Sequence, residues 1–187
     1  MRRRELLAGL GSIGVLGGAG LVAIEGVPSV ENRSEHQANG EAADRTETDP
    51  ITIETITAPG SRDGQVTIPA SDRSTFIDFF GTWCPPCVEQ MPALAEANKR
   101  VGNSVLFISV TTEAVGRSVA KRELVNWWKT HDGNWLLGVD QRAALAARYL
   151  EGGYPSAVAI DASGKVQWSK AGVKTADQLV AGIRQAL

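Results

Sequence analysis

The sequence predicts an α/β domain over residues 51–187, a central mixed β-sheet flanked by helices. Three observations carry that prediction. Apolar runs rich in β-branched and aromatic residues alternate with segments of helical spacing through the middle of the chain. The last third switches to a hairpin signal followed by one more helix. The 187 residues, 43% hydrophobic and 21% charged, suffice for one buried core but not for two ordinary domains.

Ile51, Ile53 and Ile56 mark a first strand and Gln65 to Pro69 a second, both read as edge strands. Thr75 to Phe80 is almost continuously apolar, which suits a strand covered on both faces. A helix is expected from Pro85 to Val101, with Val88, Met91, Leu94 and Val101 on or near one face and a kink at Pro92. Val105 to Val110 is a further apolar strand. Ser118 to Thr130 reads as a helix burying Val119, Leu124, Trp127 and Trp128, and Trp135 to Val139 as a strand. An alanine-rich helix from Gln141 to Tyr149 is capped by Asp140. Ala157 to Ile160 and Val166 to Trp168 flank the turn Asp161-Ala162-Ser163-Gly164 as a hairpin. Thr175 and Gln178 form a capping box for a last helix carrying Leu179, Ile183 and Leu187.

The amino terminus has a different character. Arg2, Arg3 and Arg4 precede an uncharged run of 19 residues, Leu6 to Ile24, whose six glycines lower its hydrophobicity. Residues 1–24 resemble a twin-arginine export signal. As a helix the run would reach roughly 28 Å, so an uncleaved membrane anchor is equally open. Both readings place the rest of the chain outside the cytoplasm. Residues 25–50 hold seven acids, two bases and almost nothing apolar, so they cannot build a core and read as a flexible tether or a spacer. Their end-to-end distance as a coil is about 28 Å.

With 19 Lys plus Arg against 21 Asp plus Glu and no basic cluster beyond Arg2 to Arg4, the chain offers little to a phosphate backbone. Nucleic-acid binding is not expected. Its only two cysteines lie in Trp83-Cys84-Pro85-Pro86-Cys87. A Cys-x-x-Cys that opens a helix directly after a buried strand places Cys84 at the helix N-terminus, where free N–H groups and the macrodipole favour a thiolate. Cys84 is the candidate nucleophile. Cys87, one turn further in, is the candidate resolving thiol. Pro85 and Pro86 remove N–H donors and stiffen the turn. A zinc site would need further ligands, and the only histidines are His36 and His131. A structural disulfide closing so short a loop would constrain little of the unfolded chain.

From Ile51 to Leu187 the chain resembles the thioredoxin superfamily, and within it the exported TlpA/ResA-like thiol-disulfide oxidoreductases. The resemblance rests on Phe79-Phe80-Gly81-Thr82-Trp83-Cys84-Pro85-Pro86-Cys87, on Pro92 in the following helix, on Gly153-Tyr154-Pro155-Ser156, and on the added helix and strand between Val110 and Asp140. It implies a thioredoxin-like fold with an extra helix-strand insertion. It also implies a cis Pro155 facing the disulfide, with the Tyr154 backbone free to pair with a bound peptide, and Trp83 shielding the thiols. Asp78, six residues before Cys84, resembles the buried acid that exchanges protons with the resolving thiol in thioredoxin. Burial should raise its pKa and suit it to acid–base work near neutrality; a solvent-facing or hydrogen-bonded strand acid is the plainer alternative. Trp127, Trp128 and Trp135 are read as packing residues.

The implied activity is reduction of protein disulfides by a monomer, without metal or dissociable cofactor, with electrons from a membrane relay and with cytochrome c maturation as one service. A disulfide-forming oxidase differs from this only in redox poise. A copper-delivery module would want a wider cysteine spacing and a nearby histidine, and a binding domain with vestigial cysteines would show no disulfide reduction.

Overall fold

The computed structural model describes residues 49–187; the predicted export segment and nearly all of the predicted tether lie outside them. Seven strands form one mixed sheet: β1 (Ile51–Thr55), β2 (Gly64–Ile68), β3 (Thr75–Phe80), β4 (Leu106–Thr111), β5 (Leu136–Val139), β6 (Ser156–Ile160) and β7 (Val166–Ala171). Their order is β2-β1-β5-β4-β3-β6-β7. Four helices complete the fold, namely α1 (Pro85–Val101), α2 (Lys121–Thr130), α3 (Ala144–Tyr149) and α4 (Ala176–Arg184).

β3 is the spine because its sequence lets both faces be buried: all six residues are inaccessible. It pairs in parallel with β4 and antiparallel with β6. Alternation along the strand then sorts its side chains. Phe76 and Phe80 enter a core with α1, α2 and α4 that also contains both cysteines, while Ile77 and Phe79 enter a second core beneath α3. Burying each phenyl ring stabilises the fold by roughly 2–3 kcal/mol.

The helix expected at 85–101 is found with those bounds, Pro92 inside it. The capping box of α4 is also present, with Gln178 N–H donating to Thr175 Oγ1 at 3.2 Å and Thr175 N–H to Gln178 Oε1 at 2.9 Å. Trp168 of β7 lies flat on Gly182, where an added Cβ would fall 2.4 Å from the indole; this is how α4 seats on the sheet.

Five expectations are corrected. β1 is not an edge strand. The α2–β5 excursion returns a strand that pairs with β4 on one side and β1 on the other, leaving β2 and β7 at the edges. α2 starts at Lys121 rather than Ser118, because Gly116 N–H donates to Val119 O at 2.8 Å and keeps that stretch in a loop; Glu123 then accepts from Ala120 N–H at 3.1 Å. α3 starts at Ala144 rather than Gln141, since Ala143 takes a left-handed conformation at φ 53°. Asp140 still caps the helix, its carboxylate accepting the N–H groups of Ala144, Leu145 and Ala146 at 2.9, 2.8 and 3.0 Å. Leu187 lies beyond the last helix and is exposed, whereas Ala186 enters the core. Gln90, on the buried face of α1, is fully covered, while Val88 is only half-buried. Among the described residues no helix is long and apolar enough to cross a membrane.

Candidate active site

The redox turn forms where the most buried strand runs out. Gly81-Thr82-Trp83 carry the chain from β3 to Cys84, which is the N-cap of α1 in extended conformation (φ −101°, ψ 102°). Pro85 and Pro86 occupy the first two helical positions, where a missing N–H breaks no helical bond. One turn of helix brings Cys87 to Cys84, and the two form a disulfide with Cα atoms 5.3 Å apart. Cys87 N–H is shared between Cys84 O at 3.0 Å and Cys84 Sγ at 3.3 Å. Where the sequence predicts several free N–H groups around this sulfur, the structure supplies that one. The prolines have none, and the N–H of Cys84 itself turns back to Gly81 O at 3.2 Å. Both cysteines are buried, at 3% and 1% exposure.

Strand alternation puts Asp78 on the face of β3 that carries Phe76 and Phe80, whose core also contains both cysteines. Its register partner in β4 is Ser109, whose hydroxyl donates to Asp78 Oδ2 at 3.0 Å and accepts from Trp135 Nε1 at 2.9 Å. Oδ1 is buried without a hydrogen-bond partner among the described residues. Burial pushes the carboxyl up to about 7, against opposing pulls from the Lys174 ammonium and the Ser109 hydrogen bond. Lys174, from the loop between β7 and α4, is held below the ordinary lysine value by burial, with Asp78 pulling it back up. Its ammonium donates to Lys170 O at 3.2 Å and Gly172 O at 2.5 Å.

The second wall is the loop before β6. The Tyr154–Pro155 peptide bond is cis. Pro155 O accepts from Gly172 N–H at 2.8 Å, while the Tyr154 backbone makes no hydrogen bond among the described residues. The Tyr154 ring meets Trp83 edge-on, with centroids 5.7 Å apart. Trp83 is 66% exposed and rests on Gly81, where a Cβ would approach its ring to 2.9 Å. Pro85 and Pro86 are exposed beside it. Trp127 stacks on Phe80 at 5.0 Å, and Trp128 packs on Trp135 at 4.9 Å inside the core. These three tryptophans are packing residues.

Several residues that the sequence did not single out complete the site. Glu113 accepts from Thr82 N–H and from Thr82 Oγ1, each at 2.8 Å. Gln90 clasps the backbone of Lys174, accepting its N–H at 2.7 Å and donating to its carbonyl at 3.0 Å. A second cis bond, Ile68–Pro69, lies away from the site, at the end of β2 and by the start of β3, where Ala70 N–H donates to Thr75 Oγ1 at 2.9 Å. Only the spacing of Gln90, three residues after Cys87 on the buried face of a helix, offered a signal for any of these.

Residues 52–187 match the Redoxin family. The chain belongs to that family. Within it, similarity extends to the thiol-disulfide oxidoreductase ResA of Bacillus cereus, 28% identical over 107 residues, or 57% of this chain and 60% of the relative. The thioredoxin-like protein YneN of Bacillus subtilis is 23% identical over 110 residues, 59% of this chain and 63% of that protein. The matched stretches thus span about three-fifths of these relatives. Among solved structures, StoA of Bacillus subtilis superposes with a TM-score of 0.60 at 21% identity, covering 72% of this chain and 96% of that one. The exposed lipoprotein thioredoxin Etrx1 of Streptococcus pneumoniae gives 0.61 at 19%, covering 73% and 99%. This Redoxin-family chain therefore has the thioredoxin-like fold, with α2 and β5 as its helix-strand insertion, and is similar in sequence to the thiol-disulfide oxidoreductase ResA.

Proposed function

We propose that the protein is an extracytoplasmic thiol-disulfide oxidoreductase that reduces protein disulfides through Cys84 and Cys87. The observation that carries this reading is the disulfide at the N-terminus of α1, with one N–H on Cys84 Sγ and a buried acid of raised pKa on the strand that leads into it. In the reduced protein the Cys84 thiolate attacks one sulfur of a substrate disulfide, forming a mixed disulfide and releasing the first substrate thiol. Cys87, its proton passed to Asp78, then attacks Cys84 Sγ and expels the second. Two electrons leave the dithiol, and the Cys84–Cys87 bond re-forms. Trp83, Pro85, Pro86 and the cis loop at Tyr154–Pro155 form the surface on which the substrate backbone lies. The reducing direction, with cytochrome c maturation as one service, is supported by the resemblance of the motif to reductive TlpA/ResA-like proteins and by the position of Asp78 six residues before Cys84. Renewed reduction would come from a membrane electron relay, since the arginine-led amino terminus directs the domain out of the cytoplasm.

Trapping tests the reading. Reduced Cys87→Ser protein mixed with insulin should accumulate a mixed disulfide at Cys84 that dithiothreitol releases. A variant that stays unmodified while wild type is equally inert would leave the protein a thioredoxin-like binding domain.

A further inference from the structure

Two consecutive residues just past the end of β4 hold the two loops that meet at the disulfide. On one side the Glu113 carboxylate accepts three donors: Thr82 N–H at 2.8 Å, Thr82 Oγ1 at 2.8 Å and Thr111 Oγ1 at 3.0 Å. Its own N–H returns to Thr111 Oγ1 at 3.2 Å. Thr82 lies two residues before Cys84. On the other side, Thr112 Oγ1 and Tyr154 OH share a hydrogen bond of 2.7 Å, and Tyr154 directly precedes cis Pro155. The loops also touch directly through the edge-on meeting of Trp83 and Tyr154, one ring of which is largely exposed. Thr111 is itself fixed in the sheet as the register partner of Phe80. The bracket is thus rooted in the rigid part of the molecule.

We propose that Thr112 and Glu113 are positioning residues that gauge the gap between Cys84 and the Tyr154–Pro155 loop, and so set how fast a peptide disulfide is attacked. The inference rests on the reductase reading above. A peptide disulfide must engage both loops at once, one through its sulfur and the other through its backbone. A displacement of either loop by about 1 Å is enough to cost up to roughly 100-fold in such a reaction. A small electrophile needs Cys84 alone. Hydrogen-bond geometry rather than charge is what Glu113 supplies here. A glutamine could still accept Thr82 N–H through its oxygen and donate its amide to Thr82 Oγ1, whose hydroxyl can turn to accept.

The test compares reduced wild type, Thr112→Val, Glu113→Ala and Glu113→Gln, each with two electrophiles, insulin and iodoacetamide. In Thr112→Val the insulin rate should fall about tenfold further than the iodoacetamide rate, because only the cis loop is released. Glu113→Ala should slow both reactions, because it frees the redox turn, and Glu113→Gln should recover most of that loss. An insulin-to-iodoacetamide ratio in Thr112→Val within twofold of wild type would overturn the proposal. So would a Glu113→Gln as impaired as Glu113→Ala. Should Glu113→Ala not fold, the Thr112→Val ratio and the absolute rates of Glu113→Gln decide. A wild type that alkylates readily but leaves insulin intact would instead remove the reductase reading, and the iodoacetamide rates of the two Glu113 variants would still judge the bracket.

Discussion

Replacing Cys84 by serine should lower insulin-disulfide reduction by at least about 1,000-fold while leaving a folded protein. A serine hydroxyl does not ionise near neutrality and cannot form the mixed disulfide, so the sequence of two exchanges loses its first step. Cys87 cannot substitute, because it sits one turn inside α1 rather than at its N-cap, where the helix end favours a thiolate. The fold should survive, since the disulfide closes a loop of three residues' separation and contributes little constraint to the unfolded chain. Residual turnover above a few per cent of wild type would show that another group starts the reaction.

Asp78→Asn should have opposite effects on stability and on catalysis. The carboxyl is raised from the ordinary carboxylate range to about 7, chiefly by burial. The folded protein therefore holds this proton more tightly than the unfolded chain does. Below about pH 4 the carboxyl is protonated in both states and costs nothing; as pH rises through about 7, folding bears the cost of a buried charge. That cost reaches about 4 kcal/mol at its upper bound. Asparagine keeps an acceptor for Ser109 and removes the charge. The urea midpoint of the oxidised variant should accordingly exceed that of wild type at pH 8, and the gain should vanish near pH 4. Turnover with insulin at neutral pH should fall by about 100-fold, the lower end of general acid–base contributions, because Cys87 loses its proton acceptor. Equal stability of the two proteins at pH 8 would mean that water or a neighbouring cation already neutralises the charge.

Much of this architecture was legible where local chemistry decides it. The buried run Thr75 to Phe80, the Pro-Pro start of α1 at Cys84, and the Thr175–Gln178 box each contain their own cause within a few residues. Asp78 was legible for a related reason, since strand alternation aims it where Phe80 points. The misplaced edge strand and the missed clasps have a different cause, which is dependence on distant parts of the chain. β1 looked like an edge because its partner β5 arrives some eighty residues later, inside the insertion. Glu113 reaches Thr82 across 31 residues, and nothing in its local sequence distinguishes it from a solvated surface residue; Gln90 reaches Lys174 across 84, with its spacing from Cys87 as the one local signal. α3 shortened because Ala143 takes a left-handed turn that alanine rarely adopts; Asp140 compensates by taking three N–H groups at once.

Ionisation of Cys84 is the point on which the chemistry turns. The prolines leave its sulfur one backbone donor, Cys87 N–H, together with the dipole of a 17-residue helix. The direct measurement is the rate of Cys84 alkylation by iodoacetamide in the reduced protein, followed from pH 4 to 10. The structure predicts a midpoint below about 8.5, the value of an unperturbed thiol. A midpoint at or above about 8.5, with sluggish reaction at neutral pH, would contradict the assignment of Cys84 as the activated nucleophile.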